Sequence, residues 1–189
     1  MNGLINFFER ILPLPDTVVE YLDLHTVERQ LPRKTLLLKQ GKTCHEIHFI
    51  VKGIARSFYF RNDTDVTAHI TRENGLILSA RSFFRREPAM ENIELLEDSI
   101  LVSIDHEHFL DLHKIHPQFD YITRIFMEHY YIAREEYAYA MKMKTARDRY
   151  EQLLSTDPQI FQRVTLKHIA SYLGMKPETL SRIRSRIRY

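Results

Sequence analysis

Cysteine is nearly absent from this sequence, which contains only Cys44 among its 189 residues. A single cysteine excludes a disulfide framework and a four-cysteine zinc or iron–sulfur site within one chain. Long apolar runs are also missing, since none approaches the roughly 18–20 residues of a membrane-spanning helix. The N-terminal stretch has no basic leader before its apolar part, which makes it a poor signal peptide. We therefore expect a cytoplasmic protein that does not bind membranes.

The sequence also lacks the common motifs of enzymes and metal sites. It has no phosphate-binding loop, no dinucleotide fingerprint, no HExxH and no GxSxG. Cys44 and His48 alternate with His45 along a predicted strand, so the three side chains would not share one face. His113 and His116 are close enough to share a helix face, but no cysteine completes a zinc set. We expect neither an enzyme nor a metal site.

Glycine is scarce as well, with five residues in the chain. Gly41, Gly53 and Gly75 fall at predicted turns, where a positive φ suits glycine. Together with Asn62-Asp63 these turns separate short β-rich runs between about residues 26 and 104, namely TLLLKQG, EIHFIVKG, IARSFYF, VTAHI and SILVSI. Their regular spacing of about 8–12 residues predicts an antiparallel sandwich or barrel.

A long amphipathic helix is predicted from Pro117 to about residue 144, with shorter helices at 4–12, 105–114, 145–155 and 158–162. Apolar residues recur along the long helix in three- and four-residue steps, which is typical of a coiled-coil seam. Packing onto the chain's own sheet would produce the same stripe. Because the helix is long for so small a domain, we expect a second copy of the chain to cover part of it. The predicted dimer contacts are Phe119, Ile122, Phe126, Tyr130, Ala133 and Tyr137.

Charge is unevenly distributed along the chain, although the net charge is only +2. Residues 142–189 contain 11 Lys or Arg and 4 Asp or Glu, a charge of +7, whereas the preceding 141 residues carry −5. A basic terminal module on an acidic body is the layout of a polyanion-binding arm. An ordinary solvated basic face explains the charge equally well, so charge alone does not decide between them.

The segment TLKHIASYLGMKPETLSRIR, residues 165–184, fits a helix-turn-helix pattern. Thr165 suits the N-cap of the first helix, and Ala170 is small where the two helices would cross. Gly174 suits a left-handed residue that ends the first helix. Pro177 suits the first turn of the second helix, because its missing N–H would have no partner there. Apolar residues at the core-facing positions complete the pattern: Ile169, Leu173, Met175, Leu180, Ile183 and Ile187.

The outward face of the second helix combines residues that read base edges with residues that bind phosphate. Arg182 suits guanine O6 and N7, and Glu178 suits cytosine N4. Arg184, Arg186 and Arg188 add positive charge for phosphates. The predicted DNA contacts are Thr165, Lys167, Lys176, Glu178, Thr179, Ser181, Arg182 and Arg186.

Over roughly residues 10–188 the chain resembles the Crp/Fnr family of bacterial transcription regulators, and most of all the short members found in Bacteroidetes-like bacteria. LLLKQGKTCHEIHFIVKGIAR resembles the cyclic-nucleotide-binding β-roll, and IASYLG with PETLSRIR resembles the DNA-binding end. The resemblance implies an α+β fold with an antiparallel β-roll sensor with flanking helices at 1–116, a dimerisation helix at 117–144 and an all-α helix-turn-helix domain at 145–189. It also implies a homodimer that reads a palindrome in double-stranded DNA and contacts RNA polymerase.

Three departures from the family pattern affect the expected function. Gly75 is followed by Leu76 where the family has Gly-Glu, and residues 88–91 have no arginine for a cyclic phosphate. We therefore do not expect cyclic AMP binding in the family manner, since a buried phosphate would lack its partners. An effector pocket for another anion would draw on Gly75, Arg81, Arg85 and Arg86. Lys176 replaces the usual Ser/Thr helix cap, and the C-terminal β-hairpin wing is missing.

The missing wing leaves a second functional class open. In this alternative the β-roll is a ligand-binding or protein-interaction module, and the DNA-binding arm is vestigial.

Overall fold

The computed structural model describes residues 3–186, which form eight strands and nine helices. The strands are β1 Thr26–Leu31, β2 Leu36–Leu38, β3 Glu46–Lys52, β4 Ile54–Arg61, β5 Thr64–Arg72, β6 Leu76–Ile77, β7 Asn92–Leu95 and β8 Ser99–Asp105. The helices are α1 Gly3–Glu9, α2 Asp16–His25, α3 Ala80–Arg85, α4 His106–Ile115, α5 Phe119–Met143, α6 Ala146–Thr156, α7 Ile160–Arg163, α8 Leu166–Tyr172 and α9 Pro177–Arg186.

The strands form two four-stranded sheets, in the orders β1-β8-β3-β6 and β2-β7-β4-β5. β8 pairs antiparallel with β1 on one side and with β3 on the other, so that Thr26 and Ile47 both lie opposite Ile104. The predicted antiparallel β-structure followed by helices is confirmed. α2 and α3 were not anticipated from the sequence pattern.

The described chain divides into two compact units. Residues 3–57 and 70–128 form the first, and residues 58–69 and 129–186 form the second. The second unit therefore combines the outer part of the β4–β5 hairpin with the helices from residue 129 onward. The functional division at residues 116 and 144 stays a prediction.

The first unit has a continuous apolar core, because alternate residues of its strands point inward. Ile93 and Leu95 of β7 are both buried, and the half-buried Glu94 between them points to the other face. Aromatic residues of α1 extend this core, with the Phe8 ring edge-on to Phe119 at 5.2 Å between centroids. Further members of the core include Ile5, Val18, Leu22, Ile47, Phe49, Phe83, Leu101, Ile104 and Leu112.

The start of α5 packs into this core. Phe119 and Ile122 are each only 1% exposed and belong to the apolar cluster, and the ring of Phe126 contacts that of Phe7. These side chains are thus engaged within the chain and are not available to a second copy. This corrects the expected dimer contact at Phe119 and Ile122: the apolar stripe marks a buried face here, and the chain's own core buries it.

The turns show where glycine is required and where it is not. Gly41 and Gly53 have positive φ values of 83° and 116°, as predicted. At the third turn Asn74 takes the left-handed conformation (φ 61°) in place of Gly75. Gly75 is needed for a different reason, since a Cβ atom there would lie 2.5 Å from Thr71 Cγ2.

No helix within residues 3–186 is long and apolar enough to cross a membrane.

Candidate nucleic-acid interface

Helices α8 and α9 form a closely packed pair in the second unit. Ile169, Ala170 and Leu180 have no exposed surface, and Leu173 is 5% exposed, so the pair is held by a small apolar core. Thr165 caps α8 as expected, with its hydroxyl oxygen accepting from the His168 N–H at 3.4 Å. Ala170, the small residue predicted where the helices cross, is fully buried.

Gly174 ends α8 in the left-handed conformation, with φ 64°, as the sequence predicts. Two backbone hydrogen bonds close the turn, from Gly174 N to Ser171 O at 3.0 Å and from Met175 N to Ala170 O at 2.9 Å. Bonds of this kind satisfy carbonyls that would otherwise be unpaired at a helix end. Helix α9 begins shortly after this turn, at Pro177.

Seven of the eight predicted DNA-contacting side chains are exposed, and Thr179 is half-buried. Glu178, Arg182 and Ser185 lie on one side of α9, given about 100° of rotation per residue. Leu180 lies on the opposite side and packs against the core. Within the described chain the Arg182 guanidinium has no carboxylate partner, so its donors face solvent. The predicted contributions of Ile187 and Arg188 lie outside the described residues.

A β-hairpin contacts the first helix of the pair, which the sequence analysis did not anticipate. The backbone N–H of Thr67 on β5 donates to the hydroxyl oxygen of Ser171 at 2.9 Å. Lys167 Nζ lies 3.5 Å from an Asp65 carboxylate oxygen. One predicted DNA-contacting cation is therefore paired with an acidic group of the hairpin.

Tyrosine side chains of α5 and α8 pack together beside the turn. The rings of Tyr137 and Tyr172 stack with 5.2 Å between centroids, and the Tyr137 hydroxyl donates to Tyr172 O at 2.8 Å. Burial raises the pKa of Tyr172 to about 12, so its hydroxyl stays protonated. Tyr130 contacts the ring of His69, whose pKa is lowered to about 4 by burial and by Arg134. Ala133, also predicted for the dimer contact, is exposed.

The arginines proposed for an effector pocket have partners of their own in the first unit. Arg81 pairs with Glu87 at 2.9 Å. Arg86 donates from Nη1 to Cys44 O at 2.7 Å and from Nη2 to His45 Nδ1 at 3.0 Å. Arg85 is exposed. The three guanidinium groups thus have different surroundings, and their part in an effector pocket around Gly75 stays a prediction.

Cys44 lies beneath this segment and is almost fully buried. Burial raises the pKa of its thiol, which keeps it protonated and unreactive. Its backbone N–H donates to Ser82 Oγ at 2.8 Å, and Ser82 in turn donates to Glu87 O. Cys44 is therefore part of the packing around α3.

A buried ion pair between β4 and β7 was also missed from the sequence. Arg56 Nε donates to Glu94 Oε1 at 2.6 Å, and the Arg56 side chain is only 3% exposed. On the same unit the Thr71 hydroxyl and the Asn92 amide nitrogen are buried with no hydrogen-bond partner in the described chain. These residues are visibly polar in the sequence, but the strand pattern does not indicate that they are buried.

Metal-ligating side chains are not grouped in sets of three or more anywhere between residues 3 and 186. Several histidines instead have acidic or aromatic neighbours. His113 contacts the Asp120 carboxylate, and the rings of His25 and His108 stack at 4.1 Å.

The comparisons with known proteins agree with this architecture. Residues 28–116 match the family model of the cyclic nucleotide-binding domain. Among curated proteins, no sequence matches.

Several solved structures share the fold over nearly their whole length. The c-di-GMP responsive global regulator CLP of Xanthomonas campestris is 15% identical with a TM-score of 0.72, covering 92% of this chain and 91% of that one. FixK2 of Bradyrhizobium japonicum is 16% identical with a TM-score of 0.74, covering 86% and 84%. The catabolite activator protein of Thermus thermophilus is 17% identical with a TM-score of 0.58, covering 94% and 85%.

Residues 28–116 thus form a cyclic nucleotide-binding domain. More narrowly, a β-roll followed by a long helix and a terminal helix pair is the fold of Crp/Fnr-type regulators, as the resemblance predicted.

Proposed function

We propose that this protein is a sequence-specific, DNA-binding transcription regulator that acts as a homodimer. The outward face of α9 carries the proposal. It presents Glu178, Arg182 and Arg186 to solvent, while Leu180 on the opposite face is fully buried. A helix held rigidly on one side, with base-reading and phosphate-binding groups on the other, is the geometry of a recognition helix in the major groove.

Charge supports the same interpretation. Residues 142–189 carry the excess of basic residues, and α6 to α9 all lie within that segment. Exposed Lys176 and Arg184 add cations near α9 that suit phosphate oxygens. The basic excess thus lies on the helices that present the base-reading side chains.

Helix α5 supplies a face for the second copy of the chain. Ile125, Ile132 and Tyr139 recur every seven residues, and Ile132 and Tyr139 are 54% and 59% exposed. That spacing is typical of a coiled-coil seam. Tyr137 lies two residues from Tyr139, about 200° around the helix, on the side engaged within the chain. We therefore assign the seam to Ile125, Ile132 and Tyr139, in place of the stripe through Phe119 and Tyr137.

The β-roll is proposed to act without cyclic AMP in the family manner. Leu76 follows Gly75, and Arg81 and Arg86 are engaged by Glu87 and by the carbonyl of Cys44. CLP, which has the same fold, is a c-di-GMP responsive regulator, so this fold accepts other ligands. Calorimetry with cyclic AMP should show no binding at micromolar concentration. Micromolar or tighter binding of cyclic AMP would contradict this proposal.

Contact with RNA polymerase completes the proposal. It is supported by the fold alone, which is that of regulators such as the catabolite activator protein.

Selection of genomic DNA tests the central proposal. Purified protein, without added ligand and at near-physiological salt, is incubated with sheared genomic DNA, and the bound fragments are sequenced. We expect a palindrome whose half-sites lie about one helical turn apart, roughly 34–36 Å. Recovery of genomic fragments without enrichment of any sequence, weakening steeply with salt, would reveal only binding to the DNA backbone. That result would favour the ligand-binding or protein-interaction alternative.

Arg182→Ala provides the residue-level test. It should cost about 1–3 kcal/mol of binding free energy and relax specificity at one base position. Arg184→Ala is the matched control, because Arg184 lies two residues further on and about 200° around the helix. It should weaken binding equally for all sequences and leave base preference unchanged. If Arg182→Ala and Arg184→Ala show the same base preference, Arg182 does not read a base.

A further inference from the structure

Three side chains outside the helix pair converge on the turn at residues 172–174. The Tyr137 hydroxyl on α5 donates to Tyr172 O at 2.8 Å, and Arg149 Nε on α6 donates to Leu173 O at 2.8 Å. A Cβ atom on Gly174 would lie 2.1 Å from Met141 Cε, so α5 also packs closely against the turn. The start of α9 is only three residues further along the chain.

The Arg149 guanidinium joins the ends of two helices. While Nε binds Leu173 O at the end of α8, Nη1 donates to Lys144 O, just beyond the end of α5, at 2.7 Å. Carbonyls at helix C-termini lack intrahelical partners and carry partial negative charge. A planar guanidinium with several donors in fixed directions can hold both carbonyls at a set separation, which a lysine ammonium cannot do. Arg149 thus fixes the end of α8 relative to the end of α5.

We propose that Arg149 and Tyr137 are positioning residues that set the placement of α9 relative to α5. Because α5 carries the proposed dimer seam, this anchor determines how far apart the two recognition helices lie, and hence which half-site spacing the dimer accepts. The inference rests on the proposed DNA-binding function, which it extends from base recognition to the geometry of the operator. Neither residue is proposed to touch DNA.

Helix α6 contains a matched control for Arg149. Arg147 is two residues away and exposed, and its guanidinium pairs with Glu151 on the same helix at 2.7 Å. Arg147→Gln therefore makes the same chemical change on the same helix without touching the turn. For Tyr137→Phe the control is Tyr131→Phe, which removes a hydroxyl from an exposed ring bonded to Glu135.

The first experiment measures spacing preference. A DNA library pairs two half-sites with spacers of varying length, and bound sequences are counted for the wild type and each variant. Wild type should enrich one spacing sharply. Arg149→Gln should broaden the optimum and weaken binding at it about tenfold, because two charge-assisted hydrogen bonds are lost. Affinity for an isolated half-site should change less than about twofold, because the base-reading face is intact.

The milder variants separate positioning from general damage to the fold. Arg149→Lys keeps the charge and bonds one carbonyl, so its spacing preference should be intermediate between wild type and Arg149→Gln. Tyr137→Phe removes a single hydroxyl and should also broaden the optimum. Arg147→Gln and Tyr131→Phe should retain the wild-type optimum. A sharp, unshifted optimum in both Arg149→Gln and Tyr137→Phe would overturn the proposal.

Hydrogen exchange tests the anchor without DNA. The amides of Gly174 and Met175 are protected by bonds to Ser171 O and Ala170 O. In Arg149→Gln these two amides should exchange about tenfold faster, because local opening of the turn becomes easier, with no change in Arg147→Gln. Unchanged exchange of these two amides in Arg149→Gln would refute the positioning role of Arg149. If the wild type enriches no palindrome, the DNA-binding function fails, and the exchange rates still decide whether Arg149 holds the turn.

Discussion

His48 shows how a single buried side chain couples stability to pH. It lies on β3, is 5% exposed, and its Nδ1 is 2.8 Å from Ser103 Oγ. Burial lowers the pKa of His48 to about 4, although Glu46 nearby acts in the opposite direction and Arg29 adds to the lowering. The ring is therefore neutral in the folded protein under conditions that protonate the unfolded chain.

The sign of the resulting pH dependence follows from the lower folded pKa. As the pH falls below about 6.5, the unfolded state takes up the proton first, so the free energy of unfolding decreases. The loss continues until about pH 4 and is up to about 3 kcal/mol for this group. Urea titrations at pH 7 and pH 4.5 should show the decrease.

His48→Gln should reduce the acid sensitivity, because it keeps a polar group near Ser103 but cannot be protonated. His45→Gln is the control, since His45 is exposed. If the free energy of unfolding decreases equally between pH 7 and pH 4.5 in His48→Gln and in wild type, the role assigned to His48 is contradicted.

At the scale of elements, the hairpin of β4 and β5 is placed to modulate the proposed DNA binding. Its Asp65 carboxylate lies 3.5 Å from Lys167, and its Thr67 backbone bonds to Ser171. In the proposed complex a DNA phosphate would therefore compete with Asp65 for the Lys167 ammonium. The hairpin thus reduces the positive charge that α8 offers to phosphate.

Asp65→Asn should raise DNA affinity about two- to fivefold at low salt, because Lys167 becomes available to phosphate. The gain should shrink as salt increases, since an added phosphate contact steepens the salt dependence. Fluorescence anisotropy across a salt series measures both effects. Asp63→Asn is the control, because Asp63 is exposed at the hairpin tip and asparagine accepts its left-handed backbone (φ 59°). Equal affinity for Asp65→Asn and wild type at every salt concentration would contradict the competition.

At the scale of the whole molecule, the central question is which face of α5 meets a second copy. Ile132→Glu places a charge at the centre of the proposed seam and should convert the proposed dimer to a monomer, because an unpaired buried charge is costly. Tyr131→Glu is the control, since Tyr131 is 63% exposed and lies about 100° away around the helix. Sedimentation velocity distinguishes the two states. A dimer that survives Ile132→Glu would place the interface elsewhere.

Much of this architecture could be predicted from the sequence, because it depends on local periodicity. Alternating apolar residues predicted the β-structure, and the left-handed Gly174 followed from its place after a helical pattern. Periodicity identifies a buried face but not what buries it, so the stripe through Phe119 is equally compatible with a dimer seam and with the chain's own core, where Phe119 in fact lies. The Arg149 contacts could not be predicted, because their acceptors are backbone carbonyls that leave no mark in the sequence.

Helix α5 has side chains engaged within the chain along one face and an exposed seven-residue repeat on the other. One residue inserted near the start of α5 would rotate the rest of the helix by about 100°. Tyr137 would then turn away from Tyr172, and Ile132 would turn away from the proposed second copy of the chain. Insertions or deletions of seven residues would keep both faces nearly aligned. Evolutionary changes in length should therefore be confined to segments such as the tip at Asn62 and Asp63, or occur within α5 only in multiples of the heptad.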